Sequence, residues 1–224
     1  MTLAVDAKPF VEDTGIIAAR HRLLFRFSIV NLAAFALLGA AYYQGWVDQI
    51  VLSDTSFISP GIFIVFLGGL GIAAGRVWRL NTEMNGMESG QPAPGSWAAR
   101  YLAAINGRSE GARAILGSSL RLTMASSISP VRHVAVSLVL LGLIGTVIGF
   151  IISLAGVDPR MTGEASSIAP MVARLIGGMS VALYTTLVGS ILNVWLMANY
   201  QILNGGAVRL LTSIVERGEA DAGS

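Results

Sequence analysis

Four stretches of this 224-residue chain contain no charged side chain, and each is long enough to cross a bilayer. They are residues 27–47, 55–75, 134–157 and 175–208, which hold 21, 21, 24 and 34 uncharged residues. A hydrocarbon core about 30 Å thick takes about 20 apolar residues of helix. Helices buried in a water-soluble bundle keep a polar face that returns every turn. LAAFALLGAA, GIFIVFLGGLGIAAG and VSLVLLGLIGTVIGFIISLAG show no such face. Composition agrees, since 12% of the residues are charged where a soluble domain has about 25%. That excludes a water-soluble enzyme, a disordered chain and a nucleic-acid-binding domain. The expected fold class is all-α: a polytopic membrane protein with four transmembrane helices and a small helical cytoplasmic segment.

Orientation follows from the Lys/Arg bias of short loops. Thirteen of the fifteen basic residues fall in the N-terminal tail, the segment between spans two and three, and the C-terminal tail. Both termini and the middle segment are therefore expected in the cytoplasm. The resulting organisation is a tail or interfacial helix over 1–22, span one over 23–46, a periplasmic loop over 47–58 and span two over 59–78. A cytoplasmic helical segment over 79–131 follows, then span three over 132–156 and a periplasmic loop over 157–170. Span four covers 171–204 and extends into the cytoplasm, ahead of a C-terminal tail over 205–224. A cleaved signal peptide is the rival reading of span one. Asp6, Glu12 and Asp13 precede it and no A-x-A site closes it, which argues against cleavage.

Within the cytoplasmic segment, LNTEMNGMESGQPAPG (80–95) has the composition of a loop. Helices are expected over 96–106 and 109–127, with Ser96 and Ser109 as N-caps. Arg100, Arg108, Arg113 and Arg121 read as flanking positive charge or as contacts to anionic lipid or a partner. A segment of this size is too small for a catalytic domain, and no P-loop, G-x-S-x-G, H-E-x-x-H or dinucleotide motif occurs. The expectation is a protein that is not an enzyme and that uses no cofactor and no metal. There is no cysteine, and His21 and His133 are far apart at span edges, so neither a thiolate site nor a haem is supported.

Spans three and four carry the information about function. In span three, Gly142, Gly145, Thr146, Gly149 and Ser153 share one helical face. Small residues let helices approach closely where lipid provides no hydrophobic drive for pairing. In span four, Thr185, Thr186, Ser190, Asn193 and Asn199 form a polar but neutral stripe, with Gly189 among them. An unpaired amide in hydrocarbon is costly, so this stripe faces protein or water. Neither stripe holds an Asp, Glu, His or Lys, whereas a proton path at membrane depth needs one. Either the chain conducts nothing, or the ionisable group belongs to another subunit.

LGLIGTVIGF (141–150) followed by IGGMSVALYTTLVGSILNVW (176–195) resembles the MotA/TolQ/ExbB proton-channel family, whose pattern is GL-x-GT-x-x-G and then ALxTT or ALxAT. The resemblance covers about 70 residues of spans three and four. It implies a homopentamer in the bacterial inner membrane around two copies of a MotB/TolR/ExbD-like single-span partner, each bearing an aspartate. The four-span layout resembles the MotA branch. The same resemblance implies an ion-motive-force-driven motor, or stator, in which the ring rotates around the partner helices. Thr146 matches the Thr of the GT motif, Thr186 the Thr that faces the partner aspartate, and Thr185 its neighbour. Ser153, Ser190 and Asn193 join them as expected ion-pathway or partner-facing residues. Gly142, Gly145, Gly149 and Gly189 are expected to pack helices. Val181 stands where TolQ and ExbB members carry a Glu, and the cytoplasmic segment is shorter than in flagellar stators. Proton and sodium both suit the Thr pair, and the load is open among flagellar motility, Tol/Ton-like transport, gliding and defence. The alternative from another class is a non-conducting four-span scaffold or assembly protein.

Overall fold

The described residues of all four uncharged stretches lie chiefly on helices. A computed structural model describes residues 22–53, 57–89, 93–155 and 165–222. Of these, 93% are helical, and no strand occurs among the described residues. The helices are α1 (Arg22–Tyr43), α2 (Trp46–Ser53), α3 (Ile58–Glu88), α4 (Trp97–Ile105), α5 (Glu110–Ala155) and α6 (Ala165–Ala222). α1, α3, α5 and α6 are long and apolar enough to span a membrane. The expected N-terminal tail or interfacial helix lies outside the described residues, apart from Arg22.

Several local expectations change. The loop expected over 80–95 is helical as far as Glu88, because Leu80, Glu83 and Met87 are buried along one face of α3. Packing of that face outweighs the Gly, Asn and Ser content. α2 forms within the connection expected as a loop after span one; Gly45, at φ +76°, makes the turn that separates it from α1. α4 matches the expected helix and its cap, with Ser96 Oγ accepting from the Ala99 amide at 3.0 Å. The second expected helix does not end near 127. It continues through Pro130 into span three as the 46-residue α5. The helix that carries the expected span four begins at Ala165 and runs 58 residues.

The chain divides into two compact units. The first comprises the described residues of Met1–Asn31, Ala74–Ile128 and Gln201–Ser224. Its interior draws on Val77 and Leu80 of α3, Trp97 and Tyr101 of α4, Leu120 and Met124 of α5, and Leu203, Leu210 and Ile214 of α6. The 203, 207, 210, 214 spacing of the buried α6 positions is the helical repeat of one apolar stripe. Polar contacts tie the same unit. Glu83 Oε2 accepts from the Trp97 amide at 3.2 Å. Arg79 lies 3.5 Å from the other Glu83 oxygen and 4.4 Å above the Trp97 ring. Arg113 pairs with Glu219 at 3.2 Å, and Arg217 donates to the Met87 carbonyl at 3.2 Å. Burial, reinforced by the Glu219 carboxylate, holds the Tyr101 phenol above its ordinary 10.0, so it stays protonated at neutral pH.

The second unit comprises the described residues of Leu32–Ala73 and Ser129–Tyr200, that is, α2 and the apolar parts of the four long helices. Trp195 of α6 is its hub. Phe35 of α1 meets the indole edge-on at 4.8 Å, and Phe66 of α3 lies at the same centroid distance. Such pairs add about 0.5–1.5 kcal/mol beyond the area they bury. Gly69 of α3 admits Leu196 and Val134: a Cβ there would meet their side chains at 2.6 and 2.7 Å. The outward faces are apolar, with Leu140, Leu143 and Ile144 on α5 and Leu183, Leu187 and Ile191 on α6 all exposed.

Candidate functional site

Within the second unit, α5 and α6 run antiparallel along a seam built from small residues. Asn193 Nδ2 donates to the Ala135 carbonyl at 2.6 Å. Seven residues further along α5 and seven back along α6, Gly142 faces Thr186, and the Thr186 hydroxyl donates to the Gly142 carbonyl at 3.2 Å. Eleven further on, the Ser153 hydroxyl donates to the Leu175 carbonyl at 2.8 Å. These three contacts hold one register from end to end.

Between them the backbones touch. A Cβ at Gly149 would lie 2.5 Å from the Ala182 nitrogen and 2.7 Å from the Gly178 oxygen. At Gly189 it would meet the Leu138 carbonyl oxygen at 2.6 Å, and at Gly142 the Thr185 carbonyl oxygen at 3.1 Å. Gly145 faces the Thr185 side chain, whose Cβ would be 2.5 Å away. All four glycines expected to pack helices therefore sit in the seam. Gly178 completes it from the α6 side and was not among the sequence candidates. Its signal was available in the spacing to Ala182, another small-xxx-small pair.

The expected pathway residues divide in two. Thr185, Ser153 and Asn193 are committed to backbone carbonyls of this chain. Thr185 is fully buried and donates to the Val181 and Ala182 carbonyls, at 2.9 and 3.1 Å. Asn199 is equally buried and donates to the Trp195 carbonyl at 3.0 Å. Thr146 and Thr186 differ. Their hydroxyls meet across the seam, and Thr146 Oγ1 also lies 3.1 Å from the same Gly142 carbonyl, so two hydroxyl protons serve three contacts between them. Three oxygens from two helices thus converge at one point. Thr186 is exposed there and Thr146 half-buried, beside exposed Leu183 and Leu187. Ser190, one turn on from Thr186, is also exposed.

Chemically, this edge offers hydroxyl groups that accept or donate, and a carbonyl that only accepts. No Asp, Glu, His, Lys or Arg side chain lies in 134–157 or 175–208. Among the described residues no group of three or more His, Cys, Asp or Glu side chains is disposed to hold a metal ion. A hydroxyl pair in an apolar surface satisfies its remaining capacity with a polar partner at the same depth.

Residues 101–216 match the family model described as the MotA/TolQ/ExbB proton channel family. The match takes in the whole seam and both threonines. Searches of the curated proteins and of the solved structures returned no match.

Proposed function

Since this chain belongs to the MotA/TolQ/ExbB proton channel family, as a multi-pass membrane protein, we propose that it is the ring-forming subunit of an ion-driven motor in the inner membrane. Five copies surround two single-span partner helices, each bringing the aspartate that this chain lacks. The termini and the 79–131 segment face the cytoplasm, in keeping with the distribution of basic residues. The observation that carries the reading is the exposed Thr146–Thr186 pair sharing the Gly142 carbonyl on an otherwise apolar edge.

The partner carboxylate, when ionised, accepts from the two hydroxyls, which rotate away from the Gly142 carbonyl to reach it. Proton uptake from the outside neutralises it and weakens that contact, because hydrogen bonds to charged groups are about twice as strong as neutral ones. The neutral helix then leaves the threonine edge and the ring steps. A proton crossing 100 mV releases about 2.3 kcal/mol, comparable to one charge-assisted hydrogen bond at about 1.5–3 kcal/mol. The driving force is thus matched to the contact it must break. Ser153 and Asn193 serve the same site by holding α5 and α6 in register, and Thr185 by packing against Gly145, while Ser190 extends the polar edge. The oxygens also suit Na⁺, so the ion is read by measuring flux in proton and sodium gradients separately.

Two experiments test this. Native mass spectrometry of the full chain purified with its partner is expected to give five copies to two; a monomer or dimer overturns the ring. Thr186→Val is expected to abolish partner-dependent ion flux while the assembly mass is unchanged. Undiminished flux would overturn the role of the pair. A non-conducting scaffold would account for the glycine seam, yet it leaves the exposed hydroxyl pair without use.

A further inference from the structure

The first unit contains a cavity of about 680 Å³ between the start of α1, α3 and the latter part of α6. Arg22, Arg26 and Arg209 line it together with Thr212 and Ser213, and among the described residues no carboxylate lines it. Its floor is close-packed. Leu23 is buried, and a Cβ at Gly206 would meet that leucine at 2.7 Å. The three arginines are exposed at the rim. In the other charged clusters of this unit, Arg79 faces Glu83 and Arg113 faces Glu219. Here three like charges share one opening, and a bound anion relieves their mutual repulsion.

We propose that this cavity binds a phosphate-bearing anion, the headgroup of an anionic phospholipid. Guanidinium groups match phosphate oxygens in bidentate geometry, and the two hydroxyls add donors. The lipid source is favoured by what adjoins the arginines. Phe25 and Ile29 follow Arg22 and Arg26 along α1 at one-turn spacing, and both are exposed. A headgroup in the cavity therefore leaves its acyl chains beside an apolar helix surface. Basic pockets between membrane helices favour such headgroups, at about 1 kcal/mol per Lys or Arg. This site is independent of the seam and of any rotation, so it stands or falls apart from the proposed motor.

The test uses the full chain in its native oligomeric state. Phosphatidylglycerol and phosphatidylcholine with identical acyl chains are titrated in turn, and bound lipid is counted by native mass spectrometry. Wild type is expected to prefer phosphatidylglycerol. The Arg26→Gln/Arg209→Gln double variant is expected to lose roughly tenfold or more of that preference. Arg108→Gln/Arg121→Gln removes equal charge outside the cavity and is expected to keep it. Equal retention of the two lipids by wild type overturns the proposal, as does equal loss in the control variant. Millimolar inorganic phosphate that stabilises wild type but not the cavity variant, without any lipid preference, assigns the site to a free phosphate and overturns the lipid headgroup. Circular dichroism verifies that the variants, all at exposed positions, remain helical.

Discussion

The two units solve helix packing by different means. In the second, α5 and α6 meet backbone to backbone through Gly142, Gly145, Gly149, Gly178 and Gly189, and their polar contacts run from neutral donors to main-chain carbonyls. In the first, helices are held by large side chains such as Trp97, Tyr101 and Met124 and by charged groups, Arg79 with Glu83 and Arg113 with Glu219. The contrast follows from the solvent each is read to face. Lipid gives no net reward for burying a leucine, so close approach and hydrogen bonding must hold helices together. Water rewards apolar burial at about 25 cal/mol per Å² and solvates charges at the rim.

The largest expected effect lies in the seam. Gly149→Val puts a branched side chain against the Ala182 nitrogen and the Gly178 oxygen. Main chain cannot rotate away, so the cost is about 3 kcal/mol or more, read as loss of folded protein on detergent size-exclusion. Gly68→Ala is the control: nothing lies within 4 Å of its Cβ, and the change is expected to be neutral or stabilising by about 0.5–1 kcal/mol. If Gly149→Val is tolerated as well as Gly68→Ala, close backbone approach is not what holds the second unit together.

Next comes Thr186→Val, expected to remove ion flux with a fold loss of only about 0.5–1.5 kcal/mol, the net worth of its hydrogen bonds. Thr186→Ser keeps the hydroxyl and is expected to retain flux, which separates hydrogen bonding from shape. In the first unit, Glu83→Ala leaves the buried Trp97 amide without its acceptor and is expected to cost about 1–3 kcal/mol. Faster proteolytic cleavage between α3 and α4 would report it. Smallest is Glu219→Gln. Its carboxylate is 52% exposed opposite Arg113, and exposed pairs contribute about 0–1 kcal/mol. A thermal shift larger than that of Glu83→Ala would reverse the ranking within this unit.

Much of this was legible in the residues because the relevant physics is local. Charge exclusion marks the apolar stretches without knowledge of any neighbour. The spacing of Gly142, Gly145 and Gly149 marks a face that can approach another helix. The threonine pair was found through its motif rather than from periodicity alone. What escaped was whatever depends on a distant partner. Composition read 80–95 as a loop, yet Leu80 and Met87 have a core to enter, and the helix continues. Arg79, Glu83 and Trp97 are unremarkable along the chain and become one cluster only when α4 packs against α3.

By itself, then, the sequence determined that this chain is helical, that four of its segments suit a bilayer, and that the last two carry hydroxyls but no acid. Those properties are sums over neighbouring residues. Only the tertiary structure decided which of these polar side chains stand at an open edge. Thr185, Ser153, Asn193, Thr146 and Thr186 all reach carbonyls of this chain. Thr146 and Thr186 also meet each other, and Thr186 is exposed there while Thr185 is fully buried. Thr185 and Thr186 are adjacent in sequence. The 100° turn of one helical residue sends one into the Gly145 face and leaves the other exposed at the edge.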